Sequence, residues 1–318
     1  MRAYIIRRLL LIIPTLLILS ALVFLSVRFI PGDVIDALES RMDYLAEPLD
    51  RAALERVLGL DKPVHVQYLL WLRGIFLHGT LGNSLLGKDT VEAKIWTRAG
   101  PTFQLGLMSL VIGMVIALPV GVYSAMRQDT AADYAGRTIA VLGLATPNFW
   151  LAIMVIIYPA LWWNWAPPIL MVKFLDDPWE SLGVFLIPSI ILGTAMSAGT
   201  MRFTRTMMLE VLRQDYVRTA WAKGLRERLV IVRHAIKNAM IPVVSAIGLS
   251  LPLLVGGSVI IENIFNLPGM GQLMLIALSD RDYPIVSGVN LFFGVGVVLI
   301  NLLIDLVYVY LDPRIRYA

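Results

Sequence analysis

The side chains that most often do chemistry are scarce in this sequence and poorly spaced for it. There is no cysteine among its 318 residues, which removes disulfides, thiolate metal sites, iron–sulfur clusters and cysteine nucleophiles. The three histidines, His65, His78 and His234, are scattered. His65 and His78 lie thirteen apart, without the helical spacing of paired metal ligands, so no metal site is expected. Gly82-Asn-Ser-Leu-Leu-Gly87-Lys88-Asp89 comes within one residue of a phosphate-binding P-loop. The eighth residue of that pattern is Ser or Thr, whose hydroxyl binds Mg²⁺ beside the phosphates. Asp89 sets negative charge there instead, so the segment is read as a loop and not as a nucleotide site. Serines within the apolar stretches have no base beside them. Asp305 is the one acid inside such a stretch. An ionisable group costs about 2.5–3.5 kcal/mol at the centre of a spanning helix, which makes it a structural or functional candidate. Asn301, one turn earlier, can share a hydrogen bond with it, and anchoring is favoured over proton relay.

One polar stretch is both charged and regular. Residues 202–238 hold nine Lys/Arg and only Glu210, Asp215 and Glu227 as acids. Met208, Val211, Leu212 and then Asp215 and Tyr216 continue a helical period out of the preceding apolar run. Gly224 interrupts, and glycine there permits positive φ or close approach by another backbone. Leu229, Val232, Ile236 and Met240 then lead into the next apolar run. The pattern predicts a helix, a glycine turn and a second helix that protrude as a basic knob. A loop that only fixes membrane orientation needs neither this length nor this regularity.

The elements that carry these residues are membrane helices. Hydrophobic residues make up 58% of the chain and charged residues 16%, against about 25% charged in soluble domains, and the mean hydropathy is +0.75. A spanning helix needs about 20 apolar residues. Six windows qualify: 9–27, 105–126, 138–172, 182–201, 239–261 and 283–311. They are continuous rather than alternating, so helices are expected and not barrel strands. The Trp-Trp-Asn-Trp-Ala-Pro-Pro run at 162–168 must end the third. The first window has a basic start but no small-residue cleavage site after it, and is read as an uncleaved span. The N-terminus, 127–137, 202–238 and the C-terminus together carry sixteen Lys/Arg and six acids, net +10. The alternate segments, 28–101, the loop around Lys173 and 262–282, carry eleven and sixteen, net −5. The positive side faces the cytoplasm by rule, so both termini are expected inside and Trp162, Trp163, Trp165 and Trp179 at an outer interfacial belt. In 31–100, Asp50 can cap a short helix ending at Gly59, and Pro63 can start another through Tyr68, Leu69, Trp71 and Leu72. The fold class is thus an all-α integral membrane protein with six transmembrane helices and a small external helical insert after the first span.

A family resemblance enters at the polar loop. Asp215-Tyr-Val-Arg-Thr-Ala-Trp-Ala-Lys-Gly224-Leu-Arg-Glu-Arg, followed by Arg233-His-Ala-Ile-Lys-Asn-Ala-Met-Ile-Pro242, resembles the EAA loop of binding-protein-dependent ABC importer permeases, in particular the first permease subunit of the dipeptide/oligopeptide family. The family's Glu-Ala-Ala is here Arg218-Thr219-Ala220, and Lys237 stands where many relatives have proline. Further motifs are similar in order and spacing over nearly the whole chain: Tyr4-Ile-Ile-Arg-Arg-Leu-Leu, Pro31-Gly-Asp33, Leu58-Gly-Leu-Asp-Lys-Pro63, Val66-Gln-Tyr68 and Gly79-Thr-Leu-Gly-Asn-Ser84. Asn266-Leu-Pro-Gly-Met-Gly271, Arg281-Asp-Tyr-Pro284 and Leu311-Asp-Pro-Arg-Ile-Arg-Tyr317 complete the set.

The resemblance implies a type I ABC importer permease of the plasma (inner) membrane. It divides the chain into an N-terminus and first span (1–30), an external insert (31–100), a permease core (101–311) and a cytoplasmic tail (312–318). Core spans fall at about 103–126, 138–161, 182–201, 239–261 and 285–311, with the coupling loop at 202–238. It implies a pore subunit without catalysis that binds no cofactor, ATP and Mg²⁺ being used by two cytoplasmic ATPase subunits. The other implied partners are a homologous second permease and an external substrate-binding protein; nucleic acid is not expected. The ATPase-coupling residues would be Asp215, Tyr216, Arg218, Ala220, Lys223, Gly224, Leu225, Arg226, Glu227 and Arg228. Ser250, Ser258 and Asn263 are guesses for the translocation path. Di- or oligopeptides are the expected cargo, with nickel chelates, glutathione or oligosaccharides as alternatives. An ion-coupled transporter would call for an intramembrane ion site or inverted repeats. An intramembrane enzyme would call for a paired catalytic constellation.

Overall fold

The computed structural model describes residues 2–28, 61–87, 89–168, 172 and 174–311. The expected helix between Asp50 and Gly59, Lys88, Lys173 and the tail 312–318 lie outside the described residues, and so does the Asp305 side chain. Among those described there is no strand, only an isolated antiparallel bridge between Asn83 and Thr90. The helices are α1 (Arg2–Arg28), α2 (Val64–Arg73, followed by a π turn, Gly74–His78), α3 (Val91–Met126), α4 (Ala131–Ala145), α5 (Asn148–Trp163) and α6 (Pro178–Leu212). After them come α7 (Asp215–Ala222), α8 (Lys237–Ile264), α9 (Met270–Ser279) and α10 (Tyr283–Leu311).

Five of these helical stretches are long and apolar enough to cross a membrane, and the pair α4–α5 makes a sixth if counted as one span. That pair departs from the single straight span expected from residue 138 onward: it bends by 92° at the break between Ala145 and Asn148. The cause is local. A proline disfavours the α conformation in the residue before it, and Thr146 is extended (φ −90°, ψ 119°). Pro147 then caps the start of α5, where its missing N–H costs nothing. Prolines elsewhere do not break their helices: Pro14, Pro159, Pro188, Pro242 and Pro252 all lie inside continuous helix.

The described residues fall into two compact units. One comprises Thr102–Leu267 with the chain from Leu299 onward. Its core includes Leu105, Ala152, Phe185, Leu192 and Ile261. α3 and α6 approach closely there: a Cβ added to Gly193 would lie 2.6 Å from the Ser109 carbonyl, and one added to Gly113 would lie 3.0 Å from the Gly193 carbonyl. Small residues allow such backbone proximity between helices in lipid. The other unit comprises Arg2–Pro101 and Pro268–Val298. Its core gathers Val27, Val91, Ile95, Met270 and Val289. Within it Asp282 accepts hydrogen bonds from the Ser84 hydroxyl and the Leu85 amide. The stretch that mimics a P-loop is thereby held as a structural loop.

Candidate functional site

The polar segment is positioned from α6 onward. α6 runs unbroken through Met201, and Met208, near its end, is fully buried. The chain leaves the helix at Arg213, and Gln214 is extended (φ −72°, ψ 147°). Asp215 and Tyr216 therefore begin a new helix, α7, instead of continuing the fourth span. α7 is strongly two-faced. Val217 and Ala220 point inward and pack with Val230, Val211 and Leu212. Asp215, Tyr216, Arg218, Thr219 and Trp221 point outward and are exposed. The Arg218–Asp215 pair, 3.3 Å apart, sits in solvent, and such a pair contributes only about 0–1 kcal/mol.

A Schellman turn ends α7. Gly224 N–H bonds the Trp221 carbonyl at 2.9 Å and Leu225 N–H reaches back to the Ala220 carbonyl at 3.4 Å. This double closure needs a left-handed residue at the position after the cap, and Gly224 supplies it with φ +75°. Nothing lies within 4 Å of where its Cβ would be. The glycine is used for its backbone freedom and not for close approach. Lys223, Leu225, Arg226, Glu227 and Arg228 all lie exposed around this turn.

The return path differs from the expected period. A short turn, Glu227–Leu229, passes into a π turn, Val230–Ile236, which continues as α8. The wider turn shifts the buried face: Val230, Ile231, Ala235 and Ala239 are buried, whereas Leu229 and Val232 are exposed. Leu229 and Val232, which open the apolar period read from the sequence, thus face out, because π turns close i→i+5 and rotate later side chains relative to a 3.6-residue repeat.

Two polar contacts that sequence reading missed brace this region. Asn238 Nδ2 donates to the Tyr216 hydroxyl and to the His234 carbonyl, each at 2.9 Å. Deeper in, Arg205 of α6 grips Asp133 of α4 with two parallel bonds, Nε to Oδ1 at 2.8 Å and Nη2 to Oδ2 at 2.7 Å. The Ser124 hydroxyl of α3 and the Asp129 amide also donate to Asp133, whose side chain is fully buried. Bidentate Arg–carboxylate pairs are strong and geometrically specific. A solitary acid in the first turn of α4 was the available signal, but its partner lies 72 residues away.

The resulting surface presents Tyr216, Trp221, Leu225 and Leu229 as exposed apolar groups. Arg218, Lys223, Arg226 and Arg228 stand among them. It holds no nucleophile–base pair, and no group of acids and histidines that could hold a metal occurs among the described residues. What such a surface can do is bind another protein. Of the coupling residues read from the sequence, only Ala220 faces inward; Val217, which that set did not include, is buried beside it. The guessed path residues lie along α8 and are not gathered into one site. Ser250 and Ser258 bond the Ile247 and Val255 carbonyls of their own helix, while Asn263 is exposed near its end.

Comparison with known proteins agrees in extent with this architecture. Residues 117–317 match the family described as binding-protein-dependent transport system inner membrane component, and residues 1–93 match its N-terminal counterpart. The chain belongs to this family. It is 41% identical over 99% of both chains to a putative peptide permease protein of Brucella ovis. It is 39% identical to a glutathione transport system permease protein of Pectobacterium atrosepticum, again over 99% of each. Identity to an oligopeptide transport system permease protein of Bacillus subtilis is 38% over the full length of both. A solved amino acid ABC transporter shares the fold, with a TM-score of 0.54 at 13% identity over 68% of this chain and 94% of that one. The permease is therefore a multi-pass inner-membrane component of a binding-protein-dependent importer.

Proposed function

We propose that this permease forms half of a translocation pore for di- or oligopeptides. An external binding protein delivers the cargo, a homologous second permease completes the pore, and two cytoplasmic ATPase subunits bind the 215–228 segment. The chain itself hydrolyses nothing. The observation that carries the reading is the rigid, two-faced α7 and its Schellman turn, which present Trp221 and Leu225 among four cations. A helix so anchored converts ATPase closure into a rigid-body displacement of α6 and α8. The peptide cargo is supported by the names of the Brucella and Bacillus relatives. Glutathione, itself a short peptide, is the second reading, supported by the Pectobacterium relative.

The test is reconstitution of the chain with and without copurifying subunits. ATP-driven uptake of a labelled dipeptide only in the complete assembly supports the reading, and ATP turnover by the chain alone refutes it. Orientation is tested separately. Ser84 is buried and poorly suited to labelling, but Leu175 is 92% exposed and Arg226 is also open. In a chain without cysteine, Leu175→Cys should react with an impermeant thiol reagent from outside, and Arg226→Cys only after lysis. The reverse pattern would overturn the orientation.

A further inference from the structure

The unit that contains α1, α2 and the first half of α10 has an open-sided cavity of about 320 Å³. Its walls are Ile13, Leu16, Leu17 and Ser20 of α1, Leu72 of α2 with Ile75 and Phe76 of the π turn, and Leu291 and Val295 of α10. The lining is apolar except for Ser20, and that hydroxyl already bonds the Leu17 carbonyl at 2.8 Å and the Tyr68 hydroxyl at 2.9 Å. A guest therefore finds no free polar partner and must be hydrocarbon.

The depth of the cavity follows from the helix geometry. Phe24, Tyr68 and Trp71 cluster with ring centroids 5.5–6.4 Å apart, and the Arg28 guanidinium lies over Phe24. Aromatic clusters with a cation mark the headgroup level of a spanning helix. From Phe24, the α1 wall runs from Ser20 to Ile13, about 6 to 16 Å deeper at 1.5 Å per residue. Its far end thus lies near the ~15 Å depth of one leaflet's hydrocarbon. Residues 64–78 contain Arg73, His65 and His78 and no acid, a composition compatible with lipid phosphates. Ile13, Leu17 and Phe76 on its rim are exposed, so in a bilayer this face of the unit meets acyl chains.

We infer that the cavity seats one acyl chain of a phospholipid from the leaflet on the Arg28 side, wedged between α1, α2 and α10. The chain fills a gap that protein side chains leave and fixes α2 and its π turn against α1. None of its lining residues belongs to the 215–228 surface.

The experiment uses the full-length chain with its copurifying subunits in phosphatidylethanolamine–phosphatidylglycerol nanodiscs. A phosphatidylethanolamine with a diazirine on its acyl chain is the probe, and labelled residues are mapped by mass spectrometry. Labelling at Leu16, Leu72 and Leu291 should exceed that at Leu22, an exposed residue of α1, at least fivefold. Ile75→Trp, which fills the cavity, should remove that excess and leave Leu22 unchanged; Leu291→Phe provides the same test by a second route. Equal labelling at Leu22 and the cavity, or an excess that survives both variants, would overturn the proposal. So would a photoreactive residue at position 75 that forms adducts with polypeptide instead of lipid.

Discussion

The amide of Asn238, at the root of α8, donates a 2.9 Å hydrogen bond to the hydroxyl of Tyr216, in the first turn of α7. The two residues are 22 apart in sequence, and the bond ties the start of the protruding helix to the helix that returns to the apolar region. Val217 and Ala220 against Val230 make the apolar counterpart of the same tie.

Tyr216→Phe and Asn238→Ala each remove that bond. At an exposed site the stability change should stay near or below about 1 kcal/mol, and the complex should assemble. A looser α7 transmits displacement less faithfully, so uptake per ATP hydrolysed should fall severalfold in both variants. The check is parallel measurement of uptake and ATP turnover in proteoliposomes. An unchanged ratio would show that the bond has no part in transmission.

The Arg205–Asp133 pair is expected to matter more for stability. Removing one member leaves a charge without its partner in a buried site, at a cost of about 3–5 kcal/mol. Asp133→Leu and Arg205→Met should therefore each lower the thermal midpoint and yield of the purified complex sharply. The double variant should recover part of the loss, because no unpaired buried charge remains, while the Ser124 hydroxyl and the Asp129 amide still lose their acceptor. Additive damage in the double variant would contradict this account.

The contact of α3 with α6 predicts a contrast between two glycines of one helix. Gly193 faces the Ser109 carbonyl, whereas Gly199 has nothing within 4 Å of its Cβ position. Gly193→Val should force the helices apart, with a loss of about 1–3 kcal/mol or more. Gly199→Ala should be neutral or slightly stabilising, since Ala is favoured over Gly in a helix by about 1 kcal/mol. Thermal denaturation of the two purified variants decides it, and equal effects would show that the helices can part at no cost.

Much of this fold is legible because hydrocarbon tolerates so few alternatives. Backbone groups there must bond within a helix, so the apolar runs announce the spans. Gly224 is legible for a related reason, since few residues other than glycine enter left-handed conformations readily. The bend at Pro147 is less so: Pro14, Pro159, Pro188, Pro242 and Pro252 sit inside continuous helix. Whether a proline bends or breaks its helix depends on what surrounding elements supply to the freed carbonyls. The burial of Val230 and Ile231 in place of Leu229 and Val232 was hidden because no sequence period announces a π turn. Asp133 and Arg205 share no local pattern, and only the packing of α4 and α6 brings them together.

Gly224 allows a graded test of the turn. Asn is the non-glycine residue that most readily takes φ near +75°, whereas Val is a steric outlier there and strain of this kind costs about 1–3 kcal/mol. Transport should fall in the order Gly, Asn, Ala, Val, while membrane insertion stays intact because the apolar helices are untouched. An order that followed side-chain volume without regard to backbone preference, with Asn below Ala, would point to close approach by a partner instead.

The central claim is that the exposed surface of 215–228 binds the ATPase, and photo-crosslinking from Leu225 tests it most directly. Leu225 stands exposed immediately after the left-handed residue. A photoreactive side chain placed there, in membranes that hold the complete importer, should give one dominant adduct with an ATPase subunit. The same probe at Leu175 should give none, and Gly224→Val should strongly reduce the Leu225 adduct. An assembled, transport-competent importer with no ATPase adduct from Leu225 would contradict the account.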